Sequence, residues 1–110
     1  MSLFNLKNKS ILITGSSRGI GKSIARHCAI HGANVIISSR KLNICEQTAD
    51  EINNEVGKEL AHPIAASISD ENQLDELVKK TREKLGKIDV LICNAATNPF
   101  MGSMLDMPND

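Results

Sequence analysis

Hydrophobic residues follow two alternating patterns along the chain, short β-branched runs and longer segments with helical spacing. The run SILIT, from Ser10 to Thr14, ends at Gly15 and is typical of a strand buried on both faces of a sheet. From Gly19, apolar residues recur at intervals of three and four and stop before Gly32. This second segment is predicted to be a helix with one buried face and a capping glycine.

The same alternation continues to residue 93. Residues 34–38 predict a second strand, and the segment from Leu42 to Gly57 predicts a second helix. Residues 60–68 predict a weaker third strand at an edge or a bulge, because Pro63 lacks a ladder donor. The capping-box spacing of Asp70 and Gln73 predicts the start of a third helix, and residues 88–93 predict a fourth strand. Residues 96–110 are expected to form a loop.

The order of these elements predicts an α/β fold. Strands that alternate with helices imply right-handed crossovers and a parallel sheet covered on both faces. We expect an incomplete, Rossmann-like doubly wound sheet of about four strands in the order 3-2-1-4, with three helices, in one domain over residues 1–110. One edge of the fourth strand is expected to be open, which favours self-association or completion by another polypeptide.

The segment ITGSSRGIGK, residues 13–22, places three glycines between the first predicted strand and the first predicted helix. Gly15 suits a tight turn, Gly19 leaves room for a ligand at the backbone, and Gly21 allows the helix to pack closely on the sheet. The free N–H groups of a helix N-terminus bind anions such as phosphate. The turn is therefore predicted to bind a dinucleotide; a plain strand-to-helix turn is the alternative, and its position inside a β-α-β unit disfavours that alternative.

Side chains near this turn predict further contacts and a choice of cofactor. Ser16 and Ser17 carry hydroxyl donors, and Arg18 is long enough to reach a second phosphate. After the second strand, an acidic residue would bind a ribose 2′-hydroxyl, whereas a basic residue would bind a 2′-phosphate. Here Ser39 and Arg40 occupy that position, so NADP is favoured over NAD; the alternative is a solvated arginine at the start of a helix.

The distribution of charge supports an anion in the first half of the chain. The formal net charge is zero, yet residues 1–45 carry seven Lys and Arg and no Asp or Glu. The basic residues are scattered through apolar segments, which argues against nucleic acid, and no segment is apolar and long enough to predict a membrane span. Cys28, Cys45 and Cys93 lack C-x-x-C spacing, so we expect buried thiols in a reducing cytoplasm.

At these residues the chain resembles the short-chain dehydrogenase/reductase family. The family's glycine motif T-G-x-x-x-G-I-G is matched by Thr14, Gly15, Gly19, Ile20 and Gly21. The resemblance extends over nearly the whole chain and corresponds to the cofactor-binding half of a family member. It implies a Rossmann fold and hydride transfer between a nicotinamide cofactor and a carbonyl or alcohol.

Two further positions follow the family pattern only in part. The family's Asn-Asn-Ala-Gly after the fourth strand corresponds here to residues 93–96, C-N-A-A, which keep Asn94 and Ala95 and lose the first Asn and the Gly. The resemblance implies that Asn94 and Ala95 lie beside the cofactor. The acidic residue that contacts adenine in relatives corresponds to Ser67, so that contact is expected to be weaker or made by a hydroxyl.

The catalytic residues of the family have no counterpart in this chain. Family members use an Asn, a Ser, and a Tyr followed four residues later by a Lys, with the Tyr as general acid or base. The 110 residues contain no tyrosine, so the resemblance implies that the catalytic half is absent. His27, His31 and His62 are not expected to face the nicotinamide, and no catalytic residue is assigned.

Three functions from different classes remain open. In the first, which the resemblance implies, the chain is the NADP-binding part of an oxidoreductase, either truncated or completed by a second polypeptide. Alternatively, it is a small module that binds the nucleotide without chemistry, or the inactive product of a decayed gene. The resemblance implies that the residues that shape the substrate pocket lie mostly in the other half of a family member.

Overall fold

The computed structural model describes residues 5–67, 71–94 and 99–102. Most of the predicted helices and strands are confirmed; the strand predicted at 60–68 is shorter, and residues 99–102 form an additional strand. In chain order the elements are β1 (Ser10–Thr14), α1 (Gly19–Ile30), β2 (Asn34–Ile37), α2 (Leu42–Val56), β3 (Ala61–Pro63), α3 (Glu71–Leu85), β4 (Val90–Asn94) and β5 (Pro99–Gly102).

The sheet has the predicted strand order over its first four strands. Its full order is β3-β2-β1-β4-β5, and β1 pairs in parallel with both β2 and β4. Ile11 lies opposite Val35 on one side and Val90 on the other. Pro63 ends β3 at the edge of the sheet, where its missing N–H costs no ladder bond.

The prediction of an open edge on β4 was wrong, as was that of a loop at residues 99–102; the rest of the predicted loop, residues 96–98 and 103–110, lies outside the described residues. Residues 99–102 form β5, which pairs antiparallel with β4 and places Phe100 opposite Cys93. The N–H and C=O groups along the outer side of β4 need partners. An antiparallel neighbour reaches them through a short connection, whereas a parallel one needs a crossover of a dozen or more residues. The nearest following segment therefore pairs with β4, although its own sequence carries no strand pattern.

Side chains that alternate along the strands divide the core between the two faces of the sheet. Ile11 and Ile13 point to the face covered by α1 and α2, whereas Leu12 points to the face covered by α3. Among the described residues, the larger buried cluster lies on the α1/α2 face and consists of Ile11, Ile13, Ala25, Ala29, Ala33, Val35, Ile37, Cys45, Ala49, Ile52, Ala61 and Ile92. The α3 face has the smaller cluster of Leu12, Ile36, Leu77 and Leu91. Both clusters follow from the period of two along a strand.

Hydrogen bonds are present at the carboxyl end of α2 and near the start of α3. Gly57 adopts φ +81° after α2 and donates its N–H to the Asn53 carbonyl at 2.8 Å, as expected for a glycine at a helix carboxyl end. Asp70 of the predicted capping box lies outside the described residues, and the Gln73 side chain accepts a hydrogen bond from the N–H of Ser67 at 2.8 Å.

In the described part of the chain, no helix combines the length and hydropathy needed to cross a bilayer.

Candidate functional site

The turn between β1 and α1 has the backbone geometry that its glycines predict. Gly15 and Gly19 both adopt φ +61°, in the left-handed region that L side chains rarely enter. A Cβ built on Gly19 would meet no heavy atom within 4 Å. The space beside Gly19 is therefore open, so a ligand can approach the backbone there, while Gly21 is buried within α1.

The N-terminus of α1 has the properties of an anion site. Arg18 is its N-cap residue, and no side chain caps the helix there. The first turn, all of it described, contains no acidic residue. Because the first N–H groups of a helix lack intrahelical acceptors, they remain able to donate to a ligand. Ile20, beside Gly19, is 61% exposed and adds an apolar surface to the same place.

The N-terminus of α2 repeats this arrangement at the end of the neighbouring strand. Its N-cap is Lys41, again without a side-chain cap and without an acidic residue in the first turn. The exposed Arg40 precedes it. Within the described part of the chain, neither Arg18 nor Arg40 takes part in a salt bridge. Since β1 and β2 are parallel neighbours, the two turns lie at the same edge of the sheet.

The serines of the first turn divide between structure and site. The Ser16 hydroxyl is buried, donates to the Ile13 carbonyl at 2.7 Å and accepts the N–H of Ser38 at 2.7 Å. Its only proton is used inside the fold, so the prediction that it donates to a ligand was wrong. Ser17 is half-buried, and its carbonyl accepts a hydrogen bond from Thr48 Oγ1 at 3.1 Å. The Ser17 hydroxyl remains a candidate for binding.

Ser39, in the second turn, is held by its neighbours. Its Oγ lies 3.2 Å from Cys45 Sγ and 3.4 Å from the N–H of Lys41, and its carbonyl accepts the N–H of Ala66 at 2.9 Å. These contacts shape the turn that presents Arg40 to solvent. Ser39 therefore contributes to the site by fixing the backbone of the turn that precedes Arg40.

The predicted residues after β4 are only partly described. Asn94 is the last residue of β4, where it lies opposite Pro99, and Ala95 lies outside the described residues. Cys93 lies opposite Thr14 across the β1–β4 pair, so β4 ends beside the turn that begins α1. Burial raises the pKa of the Cys93 thiol, against a smaller opposing effect of a hydrogen bond with Thr14.

The histidines lie away from the two turns. His27 Nδ1 is 2.8 Å from the Ser23 carbonyl one turn earlier in α1, and His62 Nε2 is 3.2 Å from Asn34 Oδ1 beside β3. Burial, and then the nearby Lys84, lowers the pKa of His62. Across the described ranges, no group of three or more His, Cys, Asp and Glu side chains is arranged to hold a metal ion.

Two residues that contact the turns were missed as parts of the site. The sequence singled out neither as a site residue: Thr48 lies within the predicted second helix, and Cys45 was predicted only as a buried thiol. Both are buried, and their polar atoms reach Ser17 and Ser39. A threonine in an otherwise apolar stripe was the one available signal.

The sequence is similar to proteins of one known family. Residues 9–109 match the model of the family described as short chain dehydrogenase. The chain is 38% identical to the short-chain dehydrogenase/reductase SDRA of Arabidopsis thaliana over 101 residues, and this alignment covers 91% of the chain and 39% of the relative. It is 38% identical over 100 residues to the human mitochondrial dehydrogenase/reductase SDR family member 2, covering 91% of this chain and 35% of the relative.

Solved structures show the same relationship. A short-chain type dehydrogenase/reductase from Mycobacterium marinum superposes with a TM-score of 0.80 at 39% identity, over 98% of this chain and 44% of its own. L-sorbose reductase from Gluconobacter frateurii, in complex with NADPH and L-sorbose, gives a TM-score of 0.79 at 25% identity, over 96% and 40%. The chain thus spans less than half the length of these similar proteins.

Proposed function

The chain belongs to the short-chain dehydrogenase/reductase family, and we propose that it is the NADP(H)-binding part of an oxidoreductase that interconverts a carbonyl and an alcohol. The family binds NAD(P) on a Rossmann fold, and this chain has that fold. Because the chain spans 39% of one curated relative and 35% of another, the reaction of a complete family member is part of the proposal.

The observation that carries the proposal is Gly19 at φ +61°, with open space beside it at an uncapped helix N-terminus. A phosphate at that place would accept hydrogen bonds from the first N–H groups of α1 and gain from the positive end of the helix dipole. A side chain at position 19 would occupy the space that the phosphate needs. The residues present therefore fit a dinucleotide pyrophosphate.

The charges beside the two turns support NADP as the cofactor. Arg18, Arg40 and Lys41 lie at the carboxyl ends of adjacent strands, and residues 1–45 provide no carboxylate to bind a 2′-hydroxyl. A planar guanidinium binds phosphate in a bidentate manner. Among the solved structures similar to this chain, RhlG of Pseudomonas aeruginosa contains NADP, L-sorbose reductase contains NADPH, and a 3-ketoacyl reductase of Brucella melitensis contains NADH.

The residues of this chain would bind the cofactor and orient it. The α1 amides and Ser17 hold the pyrophosphate, the arginines hold the 2′-phosphate, and Asn94 and Ala95 border the cofactor. When bound, the nicotinamide supplies the hydride chemistry. The sequence has no tyrosine, so the proton-transferring Tyr and Lys implied by the family come from outside these 110 residues. We propose that residues 1–110 act together with a second segment or polypeptide that carries them.

The dinucleotide site is tested by comparing Gly19→Ala with Gly57→Ala. Both glycines have positive φ and no heavy atom within 4 Å of an added Cβ, so both variants should lose a similar free energy of unfolding, about 1 kcal/mol. Only Gly19→Ala places a methyl group in the proposed phosphate position. We expect it to weaken NADPH roughly tenfold or more in a fluorescence titration. Equal affinities in the two variants would contradict the site.

The preference for NADP is tested with Arg40→Asp. The change removes a cation and adds an anion beside the proposed 2′-phosphate, so NADPH affinity should fall more than NADH affinity. Arg82→Asp, at an exposed position in the last turn of α3, makes the same charge change elsewhere and should leave the ratio of the two affinities unaltered. An equal loss for both cofactors in Arg40→Asp would refute the arginine clamp.

The need for a second polypeptide has its own test. The purified chain should bind NADPH without oxidising or reducing a substrate. A polypeptide that carries a Ser and a Y-x-x-x-K motif, encoded by a neighbouring reading frame, should restore NADPH-dependent reduction when mixed with it. Oxidation of an alcohol by the chain alone would overturn this part of the proposal.

A further inference from the structure

The two turns that carry arginines are both attached to α2. The Ser17 carbonyl accepts a hydrogen bond from Thr48 Oγ1 at 3.1 Å, and the Ser39 hydroxyl lies 3.2 Å from Cys45 Sγ. Thr48 and Cys45 are three residues apart in α2, so they share one face of the helix. Each contact lies one residue before an arginine, because Arg18 follows Ser17 and Arg40 follows Ser39.

The Thr48 contact is not the local one that a helical threonine commonly makes. A threonine hydroxyl inside a helix often donates to a carbonyl three or four residues earlier. Thr81 in α3 does so, donating to the Leu77 carbonyl at 2.8 Å. Thr48 is similarly buried, yet it donates to a residue 31 positions away, in the turn of another element. Its hydroxyl therefore holds two segments together.

The same two turns are also joined directly. The N–H of Ser16 donates to the Ser38 carbonyl at 3.0 Å, and the N–H of Ser38 donates to the Ser16 hydroxyl at 2.7 Å. The turns that carry Arg18 and Arg40 are thus hydrogen-bonded to each other, and each of them also contacts α2. Without the Thr48 hydroxyl, the Ser17 carbonyl loses its bond to α2, while the hydrogen bonds between Ser16 and Ser38 still join the two turns.

We propose that Thr48 is a positioning residue for selection of the 2′-phosphate: it holds the Arg18 turn at the correct separation from the Arg40 turn. The inference rests on the proposed NADP site and deepens it. NADH has no 2′-phosphate for the arginines to bind, so a displaced Arg18 should lower the affinity for NADPH more than the affinity for NADH. The effect is on selectivity, which a purely structural role of Thr48 would not change.

The experiment compares Thr48→Val with Thr48→Ser, using Thr81→Val as the matched control. Thr48→Val keeps the shape and removes the hydrogen bond, whereas Thr48→Ser keeps the hydroxyl. Fluorescence titrations with NADPH and with NADH give the ratio of affinities, and urea unfolding gives the stability. We expect Thr48→Val to reduce the NADPH/NADH ratio roughly threefold to tenfold, and Thr48→Ser to retain it. Thr81→Val should lose stability without changing the ratio.

Every outcome decides between the alternatives. Equal weakening of both cofactors in Thr48→Val, or an unchanged ratio, overturns the positioning role while the NADP site stands. A wild-type chain without preference for NADPH overturns the proposed cofactor choice and this inference with it. If valine at position 48 prevents folding, Thr48→Ala and Thr48→Ser provide the same comparison, because they differ only in the hydroxyl.

Discussion

Two helices of this molecule each bury a threonine, and the two hydroxyls have different partners. In α3, on one face of the sheet, Thr81 donates to the Leu77 carbonyl of its own helix. In α2, on the other face, Thr48 donates to the Ser17 carbonyl in the glycine turn. Asn53, also in α2, contacts Leu60 and Ala61 in the same way, through hydrogen bonds to the backbone of a following segment.

The difference shows that the two faces contribute unequally to the site. A hydrogen bond within one helix stabilises that helix, whereas a bond between segments also sets the distance between them. The α1/α2 face contains such bonds to both arginine-bearing turns, and the α3 face holds its helix mainly through Leu12, Ile36, Leu77 and Leu91. We therefore expect changes on the α3 face to alter stability alone, and changes on the α2 side to alter local geometry as well.

The largest effect on stability is expected from Leu77→Ala. Leu77 is 1% exposed in the smaller core cluster, and its truncation leaves a cavity that should lower the free energy of unfolding by about 2–5 kcal/mol. Urea unfolding measures this loss. The NADPH/NADH affinity ratio of the folded variant should stay the same. A changed ratio would mean that the α3 face also positions the site, and the comparison would fail.

Asn53→Ala should have the next largest effect. Its amide donates to the Ala61 carbonyl at 2.9 Å, and its Oδ1 accepts the N–H groups of Leu60 and Ala61 at 2.9 and 2.8 Å. Loss of these bonds should cost about 2 kcal/mol and release β3 from α2. Hydrogen exchange should become faster at the Leu60 and Ala61 amides before the rest of the sheet. Asn53→Asp keeps the acceptor and should retain more protection; equal exchange in both variants would contradict this account.

Asp89 should give the molecule a modest sensitivity to acid. The N–H of Ser10 donates to Asp89 Oδ2 at 2.7 Å and, together with the smaller effect of Lys87, holds the pKa of this carboxyl below its usual value. The resulting stability is present above the unfolded-state pKa, near 4, and is lost as the pH falls through the lower folded-state pKa. Asp89→Asn should reduce this dependence by less than about 1 kcal/mol in urea unfolding at different pH values. Identical pH profiles would exclude the contact as a source of acid sensitivity.

The smallest effect is expected for the exposed ion pair between α1 and α2. Arg26 Nε donates to Glu55 Oε1 at 2.7 Å, and the hydrogen bond between these side chains, more than charge alone, lowers the pKa of Glu55. Both side chains are 42% exposed, so solvent screens the pair. A double-mutant cycle with Arg26→Ala and Glu55→Ala should show a small coupling that disappears in about 1 M NaCl. A coupling energy that persists at high salt would show that the pair contributes more to the packing of α1 against α2 than we expect.

The sequence was most informative where one local pattern is sufficient. The β-branched run before Gly15 predicted β1, and the glycines after α1 and α2 predicted where those helices end. Glycine spacing predicted the turn in which Gly15 and Gly19 have positive φ. The segment P-F-M-G gave no strand signal, because its proline and glycine disfavour a strand and its pairing depends on the unoccupied side of β4.

What the sequence by itself determined is the order of elements, the parallel sheet and the place of the glycine turn, since each follows from periodicity or from the conformational freedom of glycine over a few neighbouring residues. Only the tertiary structure decided that the Ser16 hydroxyl faces inward and that Thr48 contacts Ser17. Such contacts join residues far apart in the chain, and the direction of a hydroxyl is set by whichever donors and acceptors the packed segments bring within reach.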